Sequence, residues 1–215
     1  MRRIGRAPVL DVGAAQGFLG QLLQPDGLII DAIEPHPLWA AHARPYYRTV
    51  YASDIDSAAL PARCYPIVVA ADVLEHTVDP VRALRVLSQA ATCDATFIVS
   101  LPNVAHIAAR LLLLFGRFPQ MDRGIFDRTH LHFYTRRTAA DMLCAAGLEV
   151  VLVRPTPVPL EQIWPAHRSP AILKALMAIQ RVGLLLAPTL FGFQWILVAR
   201  VAGRQLSEGG VAHPR

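Results

Sequence analysis

Short apolar runs alternate with stretches of helical periodicity along almost the whole chain. The runs at 8–12, 28–33, 47–51, 66–71, 95–100, 148–153 and 193–199 read as strands. The patterns at 17–24, 37–43, 79–91, 104–115, 135–146 and 171–186 read as helices between them. Asp79-Pro80 supplies an N-cap followed by proline at the first helical position. Thr135 opens a later helix and Gly147 closes it, an N-cap and C′ pair. Strands alternating with helices predict an α/β domain whose mostly parallel sheet is covered on both faces.

The segment Pro8–Gly20 says most about chemistry. Val9 and Leu10 run into Asp11, and a loop bearing Gly13, Ala14, Ala15 and Gly17 then opens onto a helix that contains Gly20. A second apolar run, Leu28 to Ile30, leads to Glu34 at the end of the next strand. Small residues let backbone approach a ligand, a helix N-terminus offers free N–H groups, and an acid at that point accepts both ribose hydroxyls. The field narrows to binders of nucleotides or nucleoside cofactors. A nicotinamide dehydrogenase is one candidate, because Gly13, Gly17 and Gly20 imitate a reductase loop. Short-chain reductases need Tyr-x-x-x-Lys, however, and the sole lysine, Lys174, has Pro170 at that offset. The same shortage of lysine excludes a P-loop.

With 215 residues, 53% of them hydrophobic, the chain is long enough for one domain with a sizeable core. The net charge of +5 is carried almost wholly by arginine without a dense basic run, so no nucleic-acid partner is expected. A diffuse basic surface favours anionic lipid or phosphorylated substrates instead. Cys64, Cys93 and Cys144 lack Cys-x-x-Cys spacing and read as reduced, mostly buried thiols of a cytoplasmic protein. MRRIGRAPVL has the start of a signal peptide, but Asp11 cuts its apolar part short, so no leader is expected. Val182–Ala199 holds no charge, and mean hydropathy is high at +0.36. Gly183, Pro188 and Gly192 interrupt that run, which predicts a helix over Ala171–Leu186, a turn at Pro188 and a core strand over Phe193–Ala199. Weak attachment to a membrane surface through 171–199 is the competing reading. Residues 203–215 read as a disordered tail after a domain over 1–202.

Taken in order, DVGAAQG, AIEPH, ASDI and ADVLEHTVDP resemble the cofactor loop, the acidic end of the second strand, the adenine loop and the end of the fourth strand of class I S-adenosylmethionine-dependent methyltransferases. The likeness is to the broad type that includes ubiquinone-biosynthesis O-methyltransferases. LPNVAH, LLLLFGRF and GIFDRTHLHFYTRRTAADMLCAAGLEV resemble the active-site segment of a bacterial subgroup linked to sugar, lipid or natural-product methylation. The resemblance implies a Rossmann-like seven-stranded sheet with its last strand antiparallel. It also implies helices ahead of the first strand, which here begins near residue 8, so a shortened N-terminus is expected.

By the same resemblance, S-adenosyl-L-methionine is the cofactor. Gly13, Ala14 and Gly17 would lie against its amino-acid portion, with Asp11 orienting the loop or meeting the ammonium. Two family glycines are Ala14 and Ala15 here, which is tolerable where neither needs positive φ. Glu34 would take the ribose hydroxyls, Pro35 the adenine face, Asp54 the adenine amino group with Asp56 competing, and Ile55 the ring. Asp72 would stand at the carboxyl end of the fourth strand. Methyl transfer needs positioning and removal of the acceptor's proton, and a base that titrates near neutrality is histidine. His130 is the expected base, in a segment that walls the acceptor pocket, with His76 as orienter or alternative. Glu75 would support them from behind. Phe133 and Tyr134 would meet the sulfonium or belong to the core. His130, His132 and Asp127 lack closed-set metal spacing, and no metal is expected. The acceptor would be a small molecule, glycan or lipid-linked intermediate methylated on oxygen. A non-catalytic cofactor-binding scaffold of a biosynthetic complex is the alternative.

Overall fold

The computed structural model describes residues 8–163 and 169–202. The expected tail, 203–215, and the basic start of the chain lie outside those residues. The strands are β1 (Val9–Val12), β2 (Ile30–Ile33), β3 (Thr49–Tyr51), β4 (Tyr65–Ala71), β5 (Ala91–Pro102), β6 (Leu148–Thr156) and β7 (Gln194–Val201). The helices are α1 (Phe18–Leu23), α2 (Pro37–Ala43), α3 (Pro80–Ala90), α4 (Ile107–Leu114), α5 (Arg136–Ala145), α6 (Leu160–Ile163), α7 (Pro170–Leu186) and α8 (Pro188–Phe191).

One sheet runs in the order β3-β2-β1-β4-β5-β7-β6. Its first five strands are parallel, and β7 lies antiparallel between β5 and β6. This is the Rossmann-like arrangement expected, and the order reverses between β1 and β4. Ligands of open α/β sheets bind at that switch, beyond the carboxyl ends of the strands.

β1 and β2 are buried on both faces, and alternation sends successive side chains to opposite cores. Leu10, Val12 and Ile33 join Leu84, Phe97, Leu143 and Trp195 on one face. Val9, Ile30 and Ala32 join Ala43 and Tyr47 on the other. Asp31, on the first face, is fully buried; Arg48 bonds its carboxylate through Nε and a terminal guanidinium nitrogen, and the Tyr65 hydroxyl donates to it at 2.9 Å.

α3 buries Ala83, Leu84, Leu87 and Ala90 at helical spacing, and Asp79 Oδ1 accepts from Arg82 N at 2.9 Å. Thr135 and Thr138 form a reciprocal capping box on α5, and Gly147 beyond it has φ +86°. α4 starts three residues later than the periodicity predicts, because Asn103 turns the chain. Its Oδ1 accepts from Ala105 N at 3.0 Å, while Nδ2 donates to the carbonyls of Thr189 (3.0 Å) and Gly192 (2.8 Å). The buried Asn103 amide thus joins the end of β5 to the segment between α7 and β7.

Two details correct the sequence reading. The turn at Pro188 is a short helix, α8. Cys93 and Cys144 are exposed and Cys64 is half-buried, not mostly buried as expected. Cys144 misses the core because the buried face of α5 is Ala139, Met142 and Leu143.

Candidate functional site

A cavity of about 610 Å³ opens at the carboxyl edge, beside the switch between β1 and β4. Its walls come from the loops after β1 to β4: Gly13, Pro35, the run Asp54–Ser57, and Val73 with His76 to Asp79. Gly13 has φ +74°, and a Cβ there would stand 2.4 Å from Val73 Cγ2. Gly13 therefore answers both a left-handed turn and a close approach. Gly17 also has positive φ, but the space beside it is filled by Tyr46 and Ala43, so it serves helix packing. Ala14 points into the core. Ala15 does adopt positive φ, +47°, against the sequence expectation. A left-handed alanine costs roughly 1–2 kcal/mol.

The loop holds that conformation through two buried acids. Glu34 is 3% exposed; its Oε2 accepts from Ala15 N at 2.8 Å and Oε1 from His36 N at 2.9 Å. Its carboxylate is thus turned onto the loop, while its neighbours Ile33 and Pro35 line the cavity. Asp11 alternates to the Tyr47 side of the sheet. There Oδ2 accepts from the Tyr47 hydroxyl at 2.6 Å, and the same hydroxyl accepts from Gly20 N at 2.9 Å. Burial pushes the Asp11 carboxyl up to about 6; the Tyr47 bond opposes that and the charge of Glu34 adds to it. Burial and the bond to Asp11 raise the Tyr47 phenol far above its usual range. Nothing local in the sequence points to Tyr47; only the three-dimensional pairing shows it.

At the adenine-loop corner both acids line the cavity. Asp56 is tied to Arg82 Nε at 3.3 Å, whereas only the backbone carbonyl of Asp54 is engaged, by Ser57 and Ala58. Ile55 is buried against the core beneath them. The corner is an apolar slot with an available carboxylate at its rim, which fits a nucleoside base.

The histidines are arranged differently from the sequence expectation. His76, in a turn at Leu74–His76, is exposed and lines the cavity. His130 stands behind it, ring centroids 4.8 Å apart and edge to face, with only 5% of its side chain exposed. Burial, then the charge of His76, lowers its pKa. Glu75 is fully buried, and neither carboxylate oxygen has a hydrogen-bond partner. Burial pushes its carboxyl up to about 8; its own backbone N–H opposes that, and the charges of Asp72 and Asp127 add to it. The Glu75 carbonyl accepts from Leu131 N and His132 N, which brings the distant His130 segment to this place. His132 points elsewhere, to the Val78 carbonyl. Tyr134 is a core residue, and Phe133 packs edge-on against Phe118 and His130.

Asp72 sits just past β4, with φ +54°. Its carboxylate is held by Gln194 Nε2, at 2.8 and 2.9 Å, and by the Ser100 hydroxyl. It lines a second cavity, of about 710 Å³, with Thr156, Val158, Met177, Leu184 and Phe193. The expected position at the strand end holds, yet the side chain faces away from the first cavity. Asp72 and Val73, adjacent in the chain, line one cavity each. This second space, walled by α7, was missed in the sequence because its lining comes from four separated segments.

Several solved structures share the fold. A SAM-dependent methyltransferase from Mesorhizobium loti is 16% identical, covers 93% of each chain and has a TM-score of 0.61. One from Archaeoglobus fulgidus is 15% identical over 91% of this chain and 86% of that one, with a TM-score of 0.61. The 1,6-didemethyltoxoflavin-N1-methyltransferase of Burkholderia thailandensis, solved with bound 1,6-didemethyltoxoflavin and S-adenosylhomocysteine, is 18% identical over 92% of this chain and 72% of that one, TM-score 0.58. No curated protein matches the sequence. The family model described as a methyltransferase domain matches residues 3–153. That match spans most of the chain and every loop around the first cavity, so the protein belongs to the methyltransferase-domain family.

Proposed function

We propose that the protein transfers a methyl group from S-adenosyl-L-methionine to an oxygen of a small or lipid-linked acceptor. One observation carries the reading: two residues adjacent in the chain line two cavities, Val73 the first, with its slot for a nucleoside base, and Asp72 the second, whose wall includes Val158, Met177, Leu184 and Phe193. The first cavity would hold the donor, with Gly13 admitting its amino-acid end and Pro35, Ile55 and Asp54 around its base. Glu34 and Asp11 act by fixing the loop. S-adenosyl-L-methionine supplies an activated methyl on a sulfonium. The chain's own part is to orient the acceptor from the second cavity and to take up its proton. His76, on the cavity wall, is the proton acceptor, and His130 is a positioning residue behind it. That assignment exchanges the roles expected from the sequence.

The choice of an oxygen acceptor rests on the sequence motifs alone. Nothing in the site favours the non-catalytic scaffold, since both cavities are open. Among the described residues no helix is long and apolar enough to cross a membrane. Ile179, Val182, Leu185 and Leu186 of α7 are exposed, which supports peripheral attachment; flotation with anionic liposomes tests it.

Calorimetric titration with S-adenosylhomocysteine, on wild type and Asp54→Ala, tests the donor site; the variant should bind at least about 10-fold more weakly. On an acceptor panel, His76→Ala should lower kcat by about 10²–10⁴-fold with donor binding retained. Equal turnover in His76→Ala and wild type overturns the base assignment.

A further inference from the structure

We propose that Glu75, His76 and His130 form a binding site for a divalent first-row transition-metal ion at the wall of the first cavity. One ligand atom from each residue lies within 4.8 Å of the others. The two rings are already oriented as ligands. His130 Nδ1 is 3.3 Å from the Ile125 carbonyl, which can only accept, so Nδ1 carries the proton and Nε2 a bare lone pair. That Nε2 faces Glu75 Oε1 at 3.9 Å. His76 Nδ1 lies 3.2 Å from the Thr129 carbonyl and 3.1 Å from its hydroxyl. The hydroxyl gives its own hydrogen to Asp127 Oδ1 at 2.6 Å, so it too accepts, and His76 Nε2 is left bare. Backbone carbonyls holding the remote nitrogen are the usual support of metal-bound histidine.

The carboxylate supplies an independent reason. Glu75 is fully buried with both oxygens unpartnered, a costly state for a carboxyl group. The arginine salt bridges of the described residues involve Asp31, Asp56, Asp122 and Asp141, not Glu75, Asp72 or Asp127. One atom each of two imidazoles and the Glu75 carboxyl therefore share one small space, and an ion bound there displaces the proton of the carboxyl. Bonds of about 2.1 Å in a tetrahedral shell separate ligand atoms by roughly 3.4 Å, so closing on an ion needs a movement of up to about 0.7 Å by each atom of the widest pair. Two histidines and one carboxylate suit zinc, iron or manganese rather than magnesium. His76 lines the cavity, which leaves the site open on that side for a further oxygen ligand. Sequence spacing misses the set because His130 is far from Glu75-His76 in the chain.

The inference goes beyond the proposed function and constrains it, since the His76 lone pair either takes a proton or holds the ion. The test is metal analysis of the purified protein, followed by titration of the metal-stripped chain with Zn²⁺ and with Co²⁺ as a spectroscopic probe. One ion per chain is expected, with Co²⁺ bands of nitrogen and oxygen ligation and no response to Mg²⁺. Glu75→Gln and His130→Gln should each weaken binding about 100-fold or more. S-adenosylhomocysteine titration of the same samples checks that variants are folded and reports separately on the donor site. Absence of metal from the protein together with no saturable Zn²⁺ or Co²⁺ binding by the wild-type chain overturns the inference. Binding that both variants retain at full strength overturns it equally.

Discussion

Replacing Tyr47 by Phe keeps the ring that covers Gly20 and removes a hydroxyl that serves two partners. The Asp11 carboxylate then loses a charge-assisted bond, about 1.5–3 kcal/mol, and Gly20 N–H loses its acceptor, about 1–3 kcal/mol. The two losses share one hydroxyl and do not add fully, so the expected destabilisation is about 2–4 kcal/mol near pH 8. The effect depends on pH in a definite direction. Asp11 is raised from 3.8 to about 6 in the folded protein, so burial favours its neutral form. Between about pH 4 and 6 the folded chain keeps a proton that the unfolded chain has lost, and stability falls as pH rises through that window. By about pH 7 the ionised acid costs roughly 3 kcal/mol. Near pH 5 Asp11 is mostly neutral, its bond to Tyr47 is an ordinary one, and the loss in Tyr47→Phe should shrink by about 1–2 kcal/mol. The Asp11 carboxyl should also titrate higher in the variant, because the Tyr47 bond lowers its pKa. Urea denaturation at about pH 5 and 8, with a carboxyl carbon titration of Asp11, measures both. An equal loss at the two pH values, or a loss below about 1 kcal/mol at pH 8, refutes the relay.

The cofactor loop makes two opposed predictions. Ala15→Gly relieves a left-handed alanine while keeping the N–H that Glu34 accepts; it should stabilise by about 0.5–1 kcal/mol and raise Tm by about 1–3 °C in calorimetry. Gly13→Ala forces a Cβ against Val73 at a positive φ; it should cost about 2–3 kcal/mol in denaturant titration and weaken S-adenosylhomocysteine binding more than 10-fold. Unchanged stability in Gly13→Ala would mean that the loop has a different conformation.

The elements were legible because apolar periodicity, Asp79-Pro80 and the Thr135–Gly147 pair are local signals, and the structure turns on local chemistry at each of them. That Gly13, Pro35, Asp54 and Ile55 line one cavity was legible for the same reason: they sit on short loops after strands, where topology leaves little freedom. What the sequence hid depends on partners far along the chain. Glu34 was read as a ligand group because its strand-end position fits one; the two backbone N–H groups that its oxygens accept, of Ala15 and His36, left no mark in the sequence. Ala15 was read as ordinary because a left-handed φ leaves no mark in alanine. His130 outranked His76 on motif context alone. Their order in depth is set by the Glu75 carbonyl, which accepts the backbone of Leu131 and His132.

Asn103 carries a consequence for how this scaffold can be altered. Its amide gives two hydrogens to the carbonyls of Thr189 and Gly192 and receives one from Ala105, a pattern that aspartate, with no hydrogen to give, cannot reproduce. The stretch so anchored leads straight back into α7, whose Met177 and Leu184 wall the larger chamber. Met177 and Leu184 can therefore be exchanged to reshape that chamber, whereas the Asn103 amide and Gln180, whose side chain bonds both Val158 N and its carbonyl, must stay. The lining of the chamber and its fastening are thus separable parts of the molecule.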